Sequence, residues 1–245
     1  MSVLFTGGVA LAYASTVIGL HRLNVRRMRA QAGGFPTLDR LDWQSLLAGL
    51  LPPSSGPIAD APAELPPVLR VAPAKDAEAR HAMLTSIVRG DPVDPDRFEA
   101  AGFSGGESQW LTTLALTRAR PEAALDRLFS SPPGTSAEVY LREHLFLRRR
   151  VHVFNLELGV FATKRRLASA LSRFADSPAL YYARAQASAR LGFNSAVLDD
   201  LARAVYFSRN EPFYLRLVTE LPWVQEARPA LYQQCNQLLN RSASA

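Results

Sequence analysis

The sequence predicts an all-helical protein attached to one amino-terminal membrane span. Three observations predict it. Eighteen residues from Val3 to Leu20 carry no charge. From Lys75 onward, apolar residues recur at helical spacing between short breaks. Within that region Ser177 to Pro212 reads as two helices joined by a glycine turn, a unit that buries its apolar face by stacking on neighbours. The composition of the 245 residues, 48% hydrophobic and 20% charged, is that of a folded chain. Only Lys75 and Lys164 are lysines among 28 basic residues, a bias expected of a GC-rich coding genome, and the formal net charge is +6. Cys235 is the one cysteine, which excludes an intramolecular disulfide framework, a Cys-based zinc finger and a Cys-ligated iron–sulfur cluster.

As a helix, the uncharged run spans about 27 Å, close to the hydrocarbon thickness of a bilayer. Arg22, Arg26, Arg27 and Arg29 follow it, no Lys or Arg precedes it, and no acidic residue appears before Asp39. The positive-inside rule therefore places the following chain in the cytoplasm, a single-pass bacterial inner-membrane arrangement with the arginines at the headgroup surface. Two rivals are a signal peptide cleaved near Ala12-Tyr13-Ala14, which lacks the charged n-region, and a mitochondrial targeting segment, which lacks the amphipathic pattern. Gly8, Ala12, Ser15 and Gly19 fall along one side of the helix and offer a packing face for a membrane partner or a second copy.

Residues 1–31 thus form the span and its basic flank. Residues 32–51 hold a short amphipathic helix from Thr37 to Leu51, with Thr37 as its N-cap and Leu38, Leu41, Trp43, Leu46, Leu47 and Leu50 supplying apolar faces. Seven of the 17 prolines lie between Pro52 and Pro73, so 52–74 is expected to be an extended linker, with packing along the domain surface as the alternative given Leu65, Val68, Leu69 and Val71. A helical lead-in covers 75–106, with a helix over Asp76 to Arg89 stopped at Gly90-Asp91-Pro92 and a short one near Pro95 to Ala101. The helical domain proper covers 107–240 and a tail 241–245. In it, Ser108 to Arg118 and Pro121 to Phe129 form a hairpin, with Pro121 suited to a first helical turn. Val151 to Phe161 mixes periods and reads as a helix containing Phe154, Leu158 and Phe161, with a strand as the alternative.

In the unit from Ser177 to Pro212, Tyr181, Ala185 and Ser188 lie along the first helix. Leu191-Gly192-Phe193 makes the turn, and Val197, Leu201 and Ala204 lie along the second. This pattern resembles a tetratricopeptide repeat, with Tyr181 at the first-helix aromatic, Ala185 at its small residue and Ala204 at the second-helix alanine. It departs from the family at Val197, at Arg184 where an apolar residue is usual, and at Pro212, three residues late. Degenerate units begin at Trp110 and Tyr140, and Leu221 to Tyr232 is similar to the helix that covers the last repeat of such arrays. The resemblance implies a helical-hairpin solenoid with a concave groove that binds another protein.

Motifs for chemistry are sparse. Gly102 to Gly106 matches G-x-S-x-G, but a nucleophile elbow needs a strand before the serine and the chain there reads as helix, so Ser104 and Glu107 are expected at a helix N-terminus. His144 and His152 flank three arginines, a setting that disfavours a divalent cation, and Asp91, Asp94 and Asp96 lack the glycine and glutamate of a calcium loop. No phosphate or dinucleotide loop occurs, so no metal, cofactor or catalytic residue is implied. Residues 51–107 carry five basic and nine acidic side chains against eight and four in 136–176, without the interleaved aromatics or recognition helix of a nucleic-acid binder.

The function read from the sequence is recognition: a membrane-anchored adaptor or scaffold, with a structural subunit of a larger membrane complex as the alternative and an enzyme without recognisable motifs further behind. In the repeat register, Tyr182, Gln186 and Arg190 lie on the groove side of the first helix. Arg148 and Arg149 come from the preceding unit, so the groove is expected to suit an acidic protein segment.

Overall fold

The computed structural model describes residues 19, 37–50, 54–57, 65–73, 77–148 and 156–243. Among these the chain is all-helical apart from one short two-stranded ladder. No helix among the described residues is long and apolar enough to cross a membrane. The expected span lies outside them except for Gly19, which is helical. Gly8, Ala12, Ser15, Arg22, Arg26, Arg27 and Arg29 lie outside them too.

The described residues form two compact units, one of residues 41–148 and the other of 156–243 together with the segment that ends at Arg40. The first opens with α1 (Trp43–Leu47), whose N-cap Asp42 accepts from the Ser45 N–H at 3.1 Å. The expected helix from Thr37 is therefore shorter than the apolar spacing implied. Thr37–Asp39 instead makes a 3-10 turn, and the carbonyls of Leu38 and Arg40, which a helix would engage internally, accept side-chain hydrogen bonds. Tyr140, Trp110 and Arg80 hold α1 in place. Tyr140 Oη accepts from the Asp42 N–H at 2.8 Å, Trp110 Nε1 donates to the Leu46 carbonyl at 3.0 Å, and Arg80 donates to the Leu50 carbonyl at 3.0 Å. Trp43, Leu46, Leu47 and Leu50 are buried as a result.

The described parts of the proline-rich stretch, 54–57 and 65–73, are paired and packed rather than extended, as in the alternative of a stretch lying along the domain. Ser54–Pro57 (β1) pairs antiparallel with Val71–Pro73 (β2), and Leu65 and Leu69 are buried. Proline removes a donor but keeps its carbonyl, and the remaining N–H groups suffice for so short a ladder. Side chains tie the stretch down further, since Gln44 accepts from the Val68 N–H at 3.1 Å and His81 Nε2 donates to the Leu69 carbonyl at 2.9 Å.

Then follow α2 (Glu78–Arg89), closed by Gly90 in the left-handed conformation, and α3 (Arg97–Ala100). The α4 (Gly105–Ala119) and α5 (Pro121–Phe129) pair packs as the expected hairpin, and α6 (Ser136–Arg148) completes the unit. The G-x-S-x-G serine is a helix cap. Ser104 Oγ accepts from the Glu107 N–H at 3.3 Å while Glu107 accepts from the Ser104 N–H at 2.7 Å, a reciprocal capping box. That N–H bond, then the Ser104 hydroxyl and Arg80, hold the Glu107 carboxyl below the usual carboxylate range. Its contribution is therefore complete above the ordinary glutamate pKa and is lost as pH falls through the lowered folded value. Ser104→Ala is expected to cost about 1 kcal/mol in urea denaturation, and Glu107→Gln to flatten the acid limb of the stability profile; an unchanged limb would show that the cap is spent elsewhere.

The second unit contains α7 (Leu156–Leu171), α8 (Pro178–Arg190), α9 (Asn194–Phe207), α10 (Pro212–Thr219), α11 (Pro222–Ala227) and α12 (Pro229–Ala243). Of the ambiguous stretch 151–161, the described part from Leu156 is helical. Pro178, Pro212, Pro222 and Pro229 each open a helix, where the missing N–H costs nothing. Gly192, at φ 76°, turns α8 back onto α9, a conformation strained for any residue with a Cβ. Ala183, Ala185, Ala187 and Ala189 of α8 are all buried, because α7 and α9 pack on two sides of the helix and residues 38–40 run along a third. Small side chains let all of these approach closely. Tyr181 stacks on Phe207 across the hairpin, centroids 5.3 Å apart and planes 3° apart, while Ala204 closes the gap between the helices. The α12 helix packs on α10 and α11 and buries Cys235, whose thiol burial pushes up to about 11, so it is protonated at neutral pH.

Candidate functional site

The expected groove residues Tyr182, Gln186 and Arg190 do share one face of α8, and that face is occupied by the chain itself. A period of 3.6 residues aligns positions 182, 186 and 190, and the segment Leu38–Arg40 lies along them. The Tyr182 hydroxyl sits 3.0 Å from the Leu38 carbonyl and 2.9 Å from the Arg40 carbonyl, one donor shared by two acceptors. Gln186 Nε2 also donates to the Leu38 carbonyl, so both lone pairs of that oxygen are used. One turn on, Arg190 Nη2 meets Asp39 Oδ1 at 2.5 Å, and its Nη1 donates to the Gln186 carbonyl at 3.2 Å. The second wall is α10. Phe213 and Tyr214 pack edge-on against the Tyr182 ring, and Glu220, just past the helix, pairs with Arg40 at 2.8 Å.

Burial grades along the segment. Leu38, Tyr182 and Gln186 are out of contact with solvent. The Asp39 carboxylate retains 39% of its side-chain exposure against 15% for Arg190, and Arg40 with Glu220 is more open still. Tight main-chain recognition at one end therefore gives way to solvated ion pairs at the other.

Arg148 ends α6 in the other unit and is exposed, and Arg149 lies outside the described residues. The structure thus brings together the three α8 residues. Sequence reading missed Leu38, Asp39, Arg40 and Glu220. The spacing around Leu38 reads as helix, and the contacts join residues from 142 apart (Arg40 and Tyr182) to as far apart as Arg40 and Glu220, beyond any local pattern. One hint was present, since Asp39 is the first acidic residue of the chain.

Beside the groove, Arg184 donates to Asp200 of α9 through Nε at 3.1 and 3.0 Å and through Nη2 at 2.6 Å. The hydrogen bonds to Asp200 raise the guanidinium pKa further, against the opposing effect of burial. The nearby Lys164 ammonium is held below its ordinary value, first by burial and also by repulsion from Arg184, although Asp200 pulls the other way. Among the described residues no three His, Cys, Asp or Glu side chains gather where they could hold a metal ion.

Comparison with protein-family models, curated proteins and solved structures finds no match to this chain.

Proposed function

We propose that the protein is a membrane-anchored adaptor whose tetratricopeptide-like hairpins bind a segment of another protein along the face formed by α8 and α10. The observation that carries this reading is the grip on Leu38–Arg40. Side chains on one helix face hold the end of a short 3-10 turn by its carbonyls, a contact made to main chain and so with limited dependence on the side chains of the held segment. The uncharged run Val3–Leu20 with its arginine flank supports the anchor, with the hairpins on the cytoplasmic side. A protein partner with an acidic segment fits Arg190 at the rim of the groove.

Two experiments test the reading. A photoreactive side chain in place of Glu220, activated in intact membranes, is expected to attach a second, different protein chain; adducts with lipid alone would sink the adaptor. A reporter active only outside the cytoplasm, fused at Ala245, is expected to stay silent, and strong activity would reverse the orientation.

A further inference from the structure

Residues 38–40 meet the α8–α10 face as a ligand meets a receptor. Tyr182 and Gln186 address main-chain carbonyls that a short 3-10 turn leaves free, whereas Arg190 addresses a carboxylate side chain and the buried Leu38 fills the apolar position before it. The charged contacts lie toward water: Arg40–Glu220 is exposed on both sides and adds little, and Asp39 can be reached by solvent. The charged contacts are thus the weaker part of the hold, and the main-chain contacts around the buried Leu38 the stronger.

We propose that Leu38-Asp39 is a resident ligand of this groove. The partner segment it stands in for is a short turn-forming stretch with an apolar residue followed by an acidic one, and that stretch must displace it. This rests on the adaptor reading above. The resident segment is covalently tethered, so its local concentration is far above that of a free competitor, and a partner meets an open groove only in the fraction of molecules whose segment has lifted. Binding is then set by how firmly residues 38–40 are held as much as by the partner.

The test uses the full chain in detergent micelles and a fluorescein-labelled peptide copied from residues 35–41, Phe-Pro-Thr-Leu-Asp-Arg-Leu. By fluorescence polarisation, Asp39→Ala, which removes only the half-exposed carboxylate, is expected to bind this peptide about tenfold more tightly than the unaltered chain. Adding Arg190→Ala to Asp39→Ala is expected to return that gain, and a peptide with alanine at the aspartate is expected to bind weakly to every form. Peptide added to the unaltered chain is expected to speed tryptic cleavage after Arg40, because the displaced segment becomes accessible. Equal peptide affinity for the unaltered chain and Asp39→Ala, or no binding to either up to about 1 mM, with helicity by circular dichroism unchanged, would make the segment a structural strap and overturn the proposal. A doubling of mass by light scattering in Asp39→Ala would assign the open groove to a second copy of the chain and also overturn it. The membrane cross-link at Glu220 decides the adaptor reading independently of all these outcomes.

Discussion

Arg184→Met is expected to destabilise the protein by about 3–5 kcal/mol. The substitution keeps much of the side-chain stem but leaves the Asp200 carboxylate, 5% exposed, without the bidentate partner that now compensates its loss of water. The deficit arises from the stranded charge rather than from the pair's own net strength, because a buried pair roughly breaks even against its desolvation. Arg184→Met combined with Asp200→Leu is therefore expected to recover most of the loss. Urea midpoints for the two single variants and the double variant measure this. A single-variant cost below about 1 kcal/mol would show that water or Lys164 takes over the carboxylate.

Tyr182→Ala carries the other large effect, about 3–5 kcal/mol, since it empties a fully buried ring site bordered by Phe213 and Tyr214. Tyr182→Phe separates packing from grip. It keeps the ring and removes the one hydroxyl that the Leu38 and Arg40 carbonyls share, at an expected cost of about 1–2 kcal/mol. The informative measurement is tryptic cleavage after Arg40, expected to accelerate in Tyr182→Phe while helicity holds. Unaltered cleavage in that variant would mean that Gln186 and Leu38 alone keep the segment seated.

The hairpins were legible because their signals are local. Pro121 marks a helix start, Gly90 and Gly192 mark stops, and the placing of aromatic and small residues in 181–204 tells which faces meet. Arg184 looked like a flaw in the repeat pattern. Its reason lies 16 residues on, at Asp200, across a turn whose geometry the sequence does not show. The helix expected from Thr37 failed for a related reason. Leu38, Leu41 and Leu46 keep a helical rhythm, but the carbonyls at 38 and 40 find better-placed donors on Tyr182 and Gln186. Tertiary contacts override so short a local preference. In the proline-rich stretch the described residues follow the alternative reading of packing along the domain, since proline count measures lost donors and not buried surface, and Leu65 and Leu69 are buried. Tyr182, Gln186 and Arg190 were named from register, while the segment that lies along them was not visible in any window of the sequence.

The 144 residues between Leu38 and Tyr182 also set a schedule for synthesis. At about 5–20 residues per second, the ribosome delivers Tyr182 roughly 7–30 seconds after Leu38. During that interval Leu38 lacks the side chains that later enclose it, and Trp43, Leu46 and Leu47 wait a shorter time for Trp110 and Tyr140. Leu38 thus emerges early and is among the last residues to be enclosed.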